Sequence, residues 1–424
     1  MIVHPVRCGA LLAAALFIAL PAAARPLRLQ QAIDAALLHN SDARLAELAV
    51  DTAAAASISA GAAPNPVLTL QSMNINPHAG VGPGDLRSKT VDSSVRVDQL
   101  IERGGKRGLR RAGAAQLEAA SHDDLDEARR QLRLQVSQAY YEALAAAGRA
   151  DIARETARLF DQTVVAAQLR QRAGDLAAAD VARAEVDALR ARNDALQAQS
   201  DLVQARDALV LLIGADDGAA LELVDDWPAQ TAATSDAAAP DDALLARRAD
   251  VRAAQHRVDA AEAARQLALA ARSSDVTVGL QFEHYPTSAA NPQGSGNSVG
   301  IALQVPLTLR YNYQGEIRAA DAALDVAREN LLQVRRQARS TVQMDQLRLR
   351  TAAERLARYD QGLLAAAGKS AAAAEFAFQR GALGIMDLLD VRRVYRNTQL
   401  EALSARADYA KSLAAVQAAQ SPTP

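Results

Sequence analysis

The stretch DVTVGLQFEHY, residues 275–285, alternates between apolar and polar side chains along most of its length. One face carries the apolar side chains of Val276, Val278, Leu280 and Phe282. The opposite face carries Thr277, Gly279, Gln281 and Glu283. This period of two predicts a β-strand. At about ten residues it is as long as a tilted strand that crosses a bilayer. Two environments fit such a strand: lipid outside and water inside, or a soluble sheet packed on helices.

Three further segments join residues 275–285 as predicted strands, at residues 66–75, 92–101 and 298–307. Four strands cannot close a barrel, for which the minimum is about eight. An open sheet in lipid would leave unpaired backbone groups along its edges, which hydrocarbon cannot satisfy. If these strands span a membrane, the chain must therefore oligomerise.

The chain repeats one plan twice. VDTAAAA at Val50 matches VDAAEAA at Val258, and Gly174 falls opposite Gly381, with an offset that stays near 207 residues. A first repeat is predicted over residues 25–213 and a second over 242–419. Residues 214–241 form a predicted connector of low order, in which Trp227 is the expected anchor, and residues 420–424 form a predicted disordered tail.

Long helical patterns without proline follow the strands in both repeats, from about residue 106 to 172 and from about 316 to 380. Each could extend on the order of 100 Å at 1.5 Å per residue. Gly148 is interpreted as a junction within the first. After turns at Gly174 and Gly381, shorter helices return, which predicts antiparallel hairpins that project far from the strands.

Composition favours thin packing between helices, because half of the residues are apolar, only 3% are aromatic, and many are alanine. The formal net charge of -2 gives no reason to expect a nucleic-acid partner. The sequence shows no nucleophile triad, phosphate loop or zinc spacing. We therefore predict neither an enzyme nor a cofactor or metal site.

The first residues predict secretion. His4 and Arg7 precede an apolar run over 10–20, and alanines 22–24 offer a cleavage site, so residues 1–24 are predicted to be a Sec-type signal peptide. The only cysteine, Cys8, lies before that run. The mature chain is then expected to have no thiol and no lipid anchor.

Taken together, these features resemble the TolC family of outer-membrane efflux channels. The most specific carriers are the turn motifs RAGDLAAADVARAE from Arg172 and RGALGIMDLLDVRR from Arg380, and NPVLTLQ from Asn65 resembles the start of the family's first strand. IERGGKRGLR from Ile101 and LTLRYNYQGEI from Leu307 are similar to the heavy-metal branch, the CzcC type.

The resemblance implies a mostly α-helical chain with a small β part. Three copies would form a twelve-stranded outer-membrane barrel that continues as an α-helical cylinder through the periplasm. It also implies a periplasmic adaptor and an inner-membrane pump of the resistance-nodulation-division type, with heavy-metal cations as the exported substrate. The rival interpretation is a periplasmic coiled-coil scaffold or adaptor.

The two hairpin turns would then meet at the periplasmic entrance. Asp387 and Asp390 lie three apart on the first helical turn, so three chains would place two rings of carboxylates there. Asp180 matches Asp387 in the other repeat, but Arg183 replaces the second acid. Such rings favour cations. The alternative is that these acids only stabilise a helix start, or that Asp387 pairs with a nearby arginine, Arg392 or Arg393.

Two departures from the family concern the closed entrance and the bends. Phe378 and Leu383 stand where several relatives have a tyrosine and an arginine that hold the entrance closed, so other pairs, involving Arg380 or Arg172, would be needed. Strand-to-helix bends are predicted at Gly104 and Gly105 in the first repeat. The equivalent bend in the second repeat contains Tyr311 and Tyr313, which suit either an aromatic girdle or an ordinary surface.

Overall fold

A computed structural model describes residues 25–75, 91–215, 221–230, 242–287 and 296–420. The predicted signal peptide at 1–24 and the last four residues of the predicted tail lie outside these ranges, whereas Gln420 ends a helix. The first part of the chain contains β1 Arg25–Leu27, α1 Leu29–His39, α2 Ser41–Gly61, β2 Val67–Met73, β3 Asp92–Ile101, α3 Lys106–Arg172 and α4 Ala178–Ile213. The second part contains β4 Leu221–Leu223, α5 Asp242–Ala246, α6 Ala249–Ala270, β5 Val276–Tyr285, β6 Gly296–Gln304, α7 Gln314–Arg358, a π-helical turn Tyr359–Leu363, α8 Leu364–Gln379 and α9 Ile385–Gln420.

The larger sheet has four antiparallel strands in the order β2-β3-β5-β6. Val95 of β3 lies opposite Phe282 of β5, which lies opposite Val299 of β6. This register puts apolar side chains from all four strands on one face, where they are between 37% and 82% exposed. They are Leu68, Leu70, Val95, Val97, Val278, Leu280, Phe282, Val299, Ile301 and Leu303. A single chain therefore leaves a wide apolar surface uncovered.

The opposite face of the sheet is polar. Arg96 and Asp98 form an ion pair at 2.8 Å, and they lie over Gly279 of the neighbouring strand, where a larger residue would collide with both side chains. The fourth strand was predicted at residues 298–307, but it ends at Gln304. Pro306 has no N–H to donate to a ladder, which explains why the strand stops before it.

Helix α3 is one continuous helix of 67 residues, so the predicted junction at Gly148 is wrong. Gly148 instead lies where α9 packs tightly against α3: a Cβ there would be 2.8 Å from Leu403 Cδ2. The second repeat does contain a break, since the π-helical turn Tyr359–Leu363 separates α7 from α8.

Two antiparallel hairpins, α3 with α4 and α8 with α9, run side by side, and α9 also packs along α3. Near their far ends the hairpins share one core, in which Phe378, Leu388 and Leu389 are buried against small residues such as Ala184 and Ala188. Alanine at these positions allows the helix axes to approach closely. Among the described helices, none has the length and apolar character needed to cross a membrane.

The segment between the repeats is anchored about midway along α3. Strand β4 pairs in parallel with β1, and the Tyr140 hydroxyl donates to the carbonyl oxygen of Leu27 at 2.9 Å. Trp227 stacks on Tyr141 with ring centroids 6.1 Å apart. The predicted connector thus includes a short strand, and its residues 216–220 and 231–241 lie outside the described ranges.

Candidate functional site

The two hairpin turns have the same backbone geometry. Gly174 and Gly381 adopt left-handed conformations, with φ of 85° and 76°. The N–H that follows each glycine donates to a carbonyl five residues earlier at 2.9 Å, from Asp175 to Arg170 and from Ala382 to Ala377. This is the Schellman pattern, which favours glycine because a Cβ is strained at such φ values. The predicted turn residues therefore lie at the ends of both hairpins.

The acids of the second turn differ in their surroundings. Asp390 has a side chain 67% exposed and pairs with Arg393 at 2.8 Å, and Arg393 also reaches Asp187 of α4 at 2.5 Å. Asp387 is exposed in the first turn of α9, and its side chain makes no ion pair or hydrogen bond with any described residue. The pairing of Asp387 with an arginine, considered from the sequence, is thus wrong. Asp180 lies half-buried in the first turn of α4.

One contact between the two hairpins involves an arginine that the sequence did not single out. Arg170 donates to the carbonyl oxygen of Phe378 at 2.7 Å, and its guanidinium lies 4.3 Å from the centre of the Phe378 ring. Arg380 stacks only on Phe376 of its own hairpin, at 5.2 Å. Arg172 makes no contact of this kind with described residues. Within one chain, the contact between the hairpins at this turn is therefore made by Arg170, and a role of Arg380 or Arg172 in the closed entrance stays a prediction.

Arg392 forms a second connection between the hairpins. It donates to the carbonyl oxygen of Leu159 at 3.0 Å and to the hydroxyl of Thr163 in α3, and it pairs with Glu375 of α8. Its side chain is only 11% exposed. A charged group with this little access to water is costly unless paired, so these bonds fix the position of α9 against α3 and α8.

The bends between strands and helices also correspond in the two repeats. Gly104 and Gly105 have φ of 72° and 71°, and Gly105 directly precedes α3. Tyr313, with φ of 56°, directly precedes α7. The Tyr311 hydroxyl donates to Glu316 at 2.7 Å and accepts the N–H of Gly315 at 2.9 Å. The four predicted bend residues thus lie at equivalent turns, and Tyr311 closes one of them.

A cluster of ion pairs lies beside these bends and was not predicted from the sequence. Lys106 and the backbone N–H of Arg103 both donate to Asp275 at 2.8 and 2.9 Å, and Arg110 pairs with Glu102. Burial raises the pKa of Asp275, but the bonds from Lys106 and Arg103 outweigh it and bring the pKa below its ordinary value. The hydrogen bond from Arg110 lowers the pKa of Glu102. The Lys106–Asp275 pair joins the start of α3 to the start of β5, and the Arg110–Glu102 pair joins α3 to the end of β3. Among the described residues, no group of three or more His, Cys, Asp or Glu side chains is arranged to hold a metal ion.

A family model described as "Outer membrane efflux protein" matches residues 32–215 and 242–420. The chain belongs to the outer membrane efflux protein family. Members of this family are outer-membrane channels with a periplasmic extension, and they generally form trimers that work with adaptor proteins and inner-membrane pumps. The match confirms the resemblance to efflux channels that the turn motifs carried.

Solved structures confirm the fold class. The chain is similar to CusC, a transmembrane channel, with a TM-score of 0.76 and 19% identity over 92% of this chain and 91% of that one. It is similar to the outer membrane protein VceC from Vibrio cholerae, with a TM-score of 0.74 and 19% identity over 92% and 95% of the two chains. The open MtrE channel from Neisseria gonorrhoeae gives a TM-score of 0.72 at 20% identity, over 93% and 88%. No curated protein matches the sequence.

Proposed function

We propose that three copies of this chain form the outer-membrane channel of a tripartite efflux system, which passively conducts substrate from an inner-membrane pump and a periplasmic adaptor to the outside. The observation that carries this proposal is the four-stranded sheet, which exposes an apolar face and, within the described part of the chain, has no strand paired to either edge. Hydrocarbon can cover the apolar face, and neighbouring copies can pair the edges. A soluble scaffold would have no use for such a surface.

In this proposal the hairpin ends form the periplasmic entrance. Each copy would contribute Asp180, Asp387 and Asp390, so that the acids repeat around a narrow opening and favour cations there. Asp390 forms an ion pair with Arg393, which weakens the electric field of its carboxylate, whereas the carboxylate of Asp387 is not neutralised by any described side chain. We therefore expect Asp387 to contribute more than Asp390 to cation selectivity.

A conductance measurement tests the entrance. The double variant Asp387→Asn with Asp390→Asn should conduct cations with less discrimination over anions in a planar bilayer, and divalent cations should block it less. Asp151→Asn is a matched control, because Asp151 is 72% exposed and pairs with Arg154 three residues later, far from the turns. Equal ion selectivity and block in the double variant, the control and the unmodified channel would remove the acids from the proposal.

We propose that the exported substrate is heavy-metal cations, because the bends IERGGKRGLR and LTLRYNYQGEI resemble the heavy-metal branch of the family. Deleting the gene should then lower resistance of the cells to transition-metal salts more than to organic toxins, and expression of the chain should restore it. A strain that loses resistance only to organic compounds would assign this channel to a different pump. That result would leave the channel itself intact as a proposal.

A further inference from the structure

The end of the sheet that joins the helices is strongly basic. The three stretches connecting strands to helices at this end, residues 102–111, 271–275 and 305–316, contain seven basic and three acidic side chains. The whole chain, in contrast, has a formal net charge of -2. The excess positive charge is therefore a local property of the bends.

Most of this positive charge is free to bind something else. Lys106 and Arg110 are neutralised by the ion cluster described above. Four exposed arginines make no side-chain hydrogen bond or ion pair with any described residue: Arg103, Arg111, Arg272 and Arg310. Arg107 uses only its Nε, which donates to the carbonyl oxygen of Gly61 at 2.5 Å. We call these five residues the basic belt.

The basic belt borders the apolar face directly. Ile101, the last residue of β3, pairs with Val276, the first of β5, so both strands end at the level where the arginines begin. After the edge strand β6, the chain passes through Leu307 and Leu309, which are 75% and 84% exposed, to Arg310. Along α3, Arg111 lies within about 8 Å of the helix start at 1.5 Å per residue. A lipid headgroup layer is only several ångströms thick, so the belt fits within that layer and the Debye length beyond it.

We propose that the basic belt binds the phosphate groups of anionic phospholipids in the periplasmic leaflet of the outer membrane. This inference rests on the proposed function, because it requires the apolar face to lie in lipid. Arginine suits the role, since its planar guanidinium binds phosphate oxygens in pairs and its stem lies along apolar surface. A juxtamembrane basic residue near an anionic surface adds about 1 kcal/mol, or roughly fivefold in affinity.

Lipid retention tests the proposal. The purified full-length channel is exchanged into detergent micelles with fluorescent phosphatidylglycerol or phosphatidylcholine, and bound lipid is measured at increasing NaCl. The triple variant Arg103→Gln, Arg111→Gln and Arg310→Gln should retain phosphatidylglycerol on the order of a hundredfold less at low salt, and phosphatidylcholine should be unaffected. These three side chains make no hydrogen bond or ion pair with the described part of the chain, so the fold should survive their replacement.

The control and the opposing results are equally specific. The control variant is Arg190→Gln, Arg247→Gln and Arg350→Gln. These three exposed arginines lie on α4, beside α5 and on α7, and their side chains also make no hydrogen bond or ion pair with described residues. Equal loss of phosphatidylglycerol in both triple variants would overturn the proposal, as would displacement of the lipid by millimolar inorganic phosphate. If the belt variant lost an acidic periplasmic protein that the control variant still retained, the belt would be assigned to a protein partner instead. Conductance in planar bilayers distinguishes failure of the lipid-binding proposal from failure of the channel proposal. A protein that conducts but does not prefer anionic lipid refutes only the lipid-binding proposal.

Discussion

The effect of Gly148→Ala on the free energy of unfolding should change sign when Leu403 is also replaced. A Cβ at position 148 would be 2.8 Å from Leu403 Cδ2 and 3.1 Å from Cδ1. Favourable contacts between carbon atoms are at about 3.5–4.0 Å, so both methyl groups would have to move. Leu403 is only 9% exposed and has little free space. Overpacking of this kind costs about 1–3 kcal/mol.

The helix itself would prefer alanine at this position. Glycine in a helix interior is less stable than alanine by about 0.5–1 kcal/mol. We therefore expect Gly148→Ala to lower the free energy of unfolding by on the order of 1 kcal/mol, after the two effects are combined. In a Leu403→Ala background the collision is absent, and the same change should raise the free energy of unfolding by about 0.5–1 kcal/mol.

Urea unfolding in detergent micelles, followed by circular dichroism at helical wavelengths, measures all four proteins of this double-mutant cycle. Gly113→Ala is a matched control, because its Cβ would make only an ordinary contact, 3.5 Å from Ala263, and it should be stabilising in either background. If Gly148→Ala destabilised both backgrounds equally, the glycine would serve the backbone of α3, and the packing argument would be refuted.

Three further predictions concern other parts of the chain. Burial raises the pKa of Tyr140 from 10.0 to about 12, so the folded state keeps a proton that the unfolded state loses. The melting temperature should therefore fall as the pH rises from about 10 to about 12, and it should fall less in Tyr140→Phe. Burial raises the pKa of Glu142, but the bond from Lys411 helps to bring it below 4.5, so its contribution is present above that pH and lost in acid. Glu142→Gln should flatten that acid loss in the same melts. Gly381→Ala should cost about 1–2 kcal/mol in urea unfolding, because φ there is 76°.

The strands were predictable because their pattern is local. Alternation along residues 275–285 fixed which face is apolar, and the observed register then brought Val95, Phe282 and Val299 together on it. The end of β6 was misjudged because Val305 and Leu307 continue the apolar pattern, although Pro306 between them cannot donate a hydrogen bond. Periodicity describes side chains, whereas a ladder depends on backbone groups.

The contacts between hairpins were not predictable in the same way. Arg170 and Phe378 are 208 residues apart, and nothing in their local sequence indicates that one will donate to the other. The glycines differ in the same way. Gly174 and Gly381 follow long helical patterns and could be recognised as turns, whereas the reason for Gly148 lies in Leu403 on another helix. Distances between elements decide these roles.

The open edges of the larger sheet have a consequence for biogenesis. Among the described residues, strands β2 and β6 each pair with only one other strand, so the outer edge of each has no strand partner there. In water the peptide groups along these edges are hydrated, but in hydrocarbon each one would cost several kcal/mol. A lone subunit entering the bilayer would meet that cost along its whole height. Subunits should therefore meet one another before or during insertion, and a cell that makes too few of them would accumulate unassembled precursors in the periplasm.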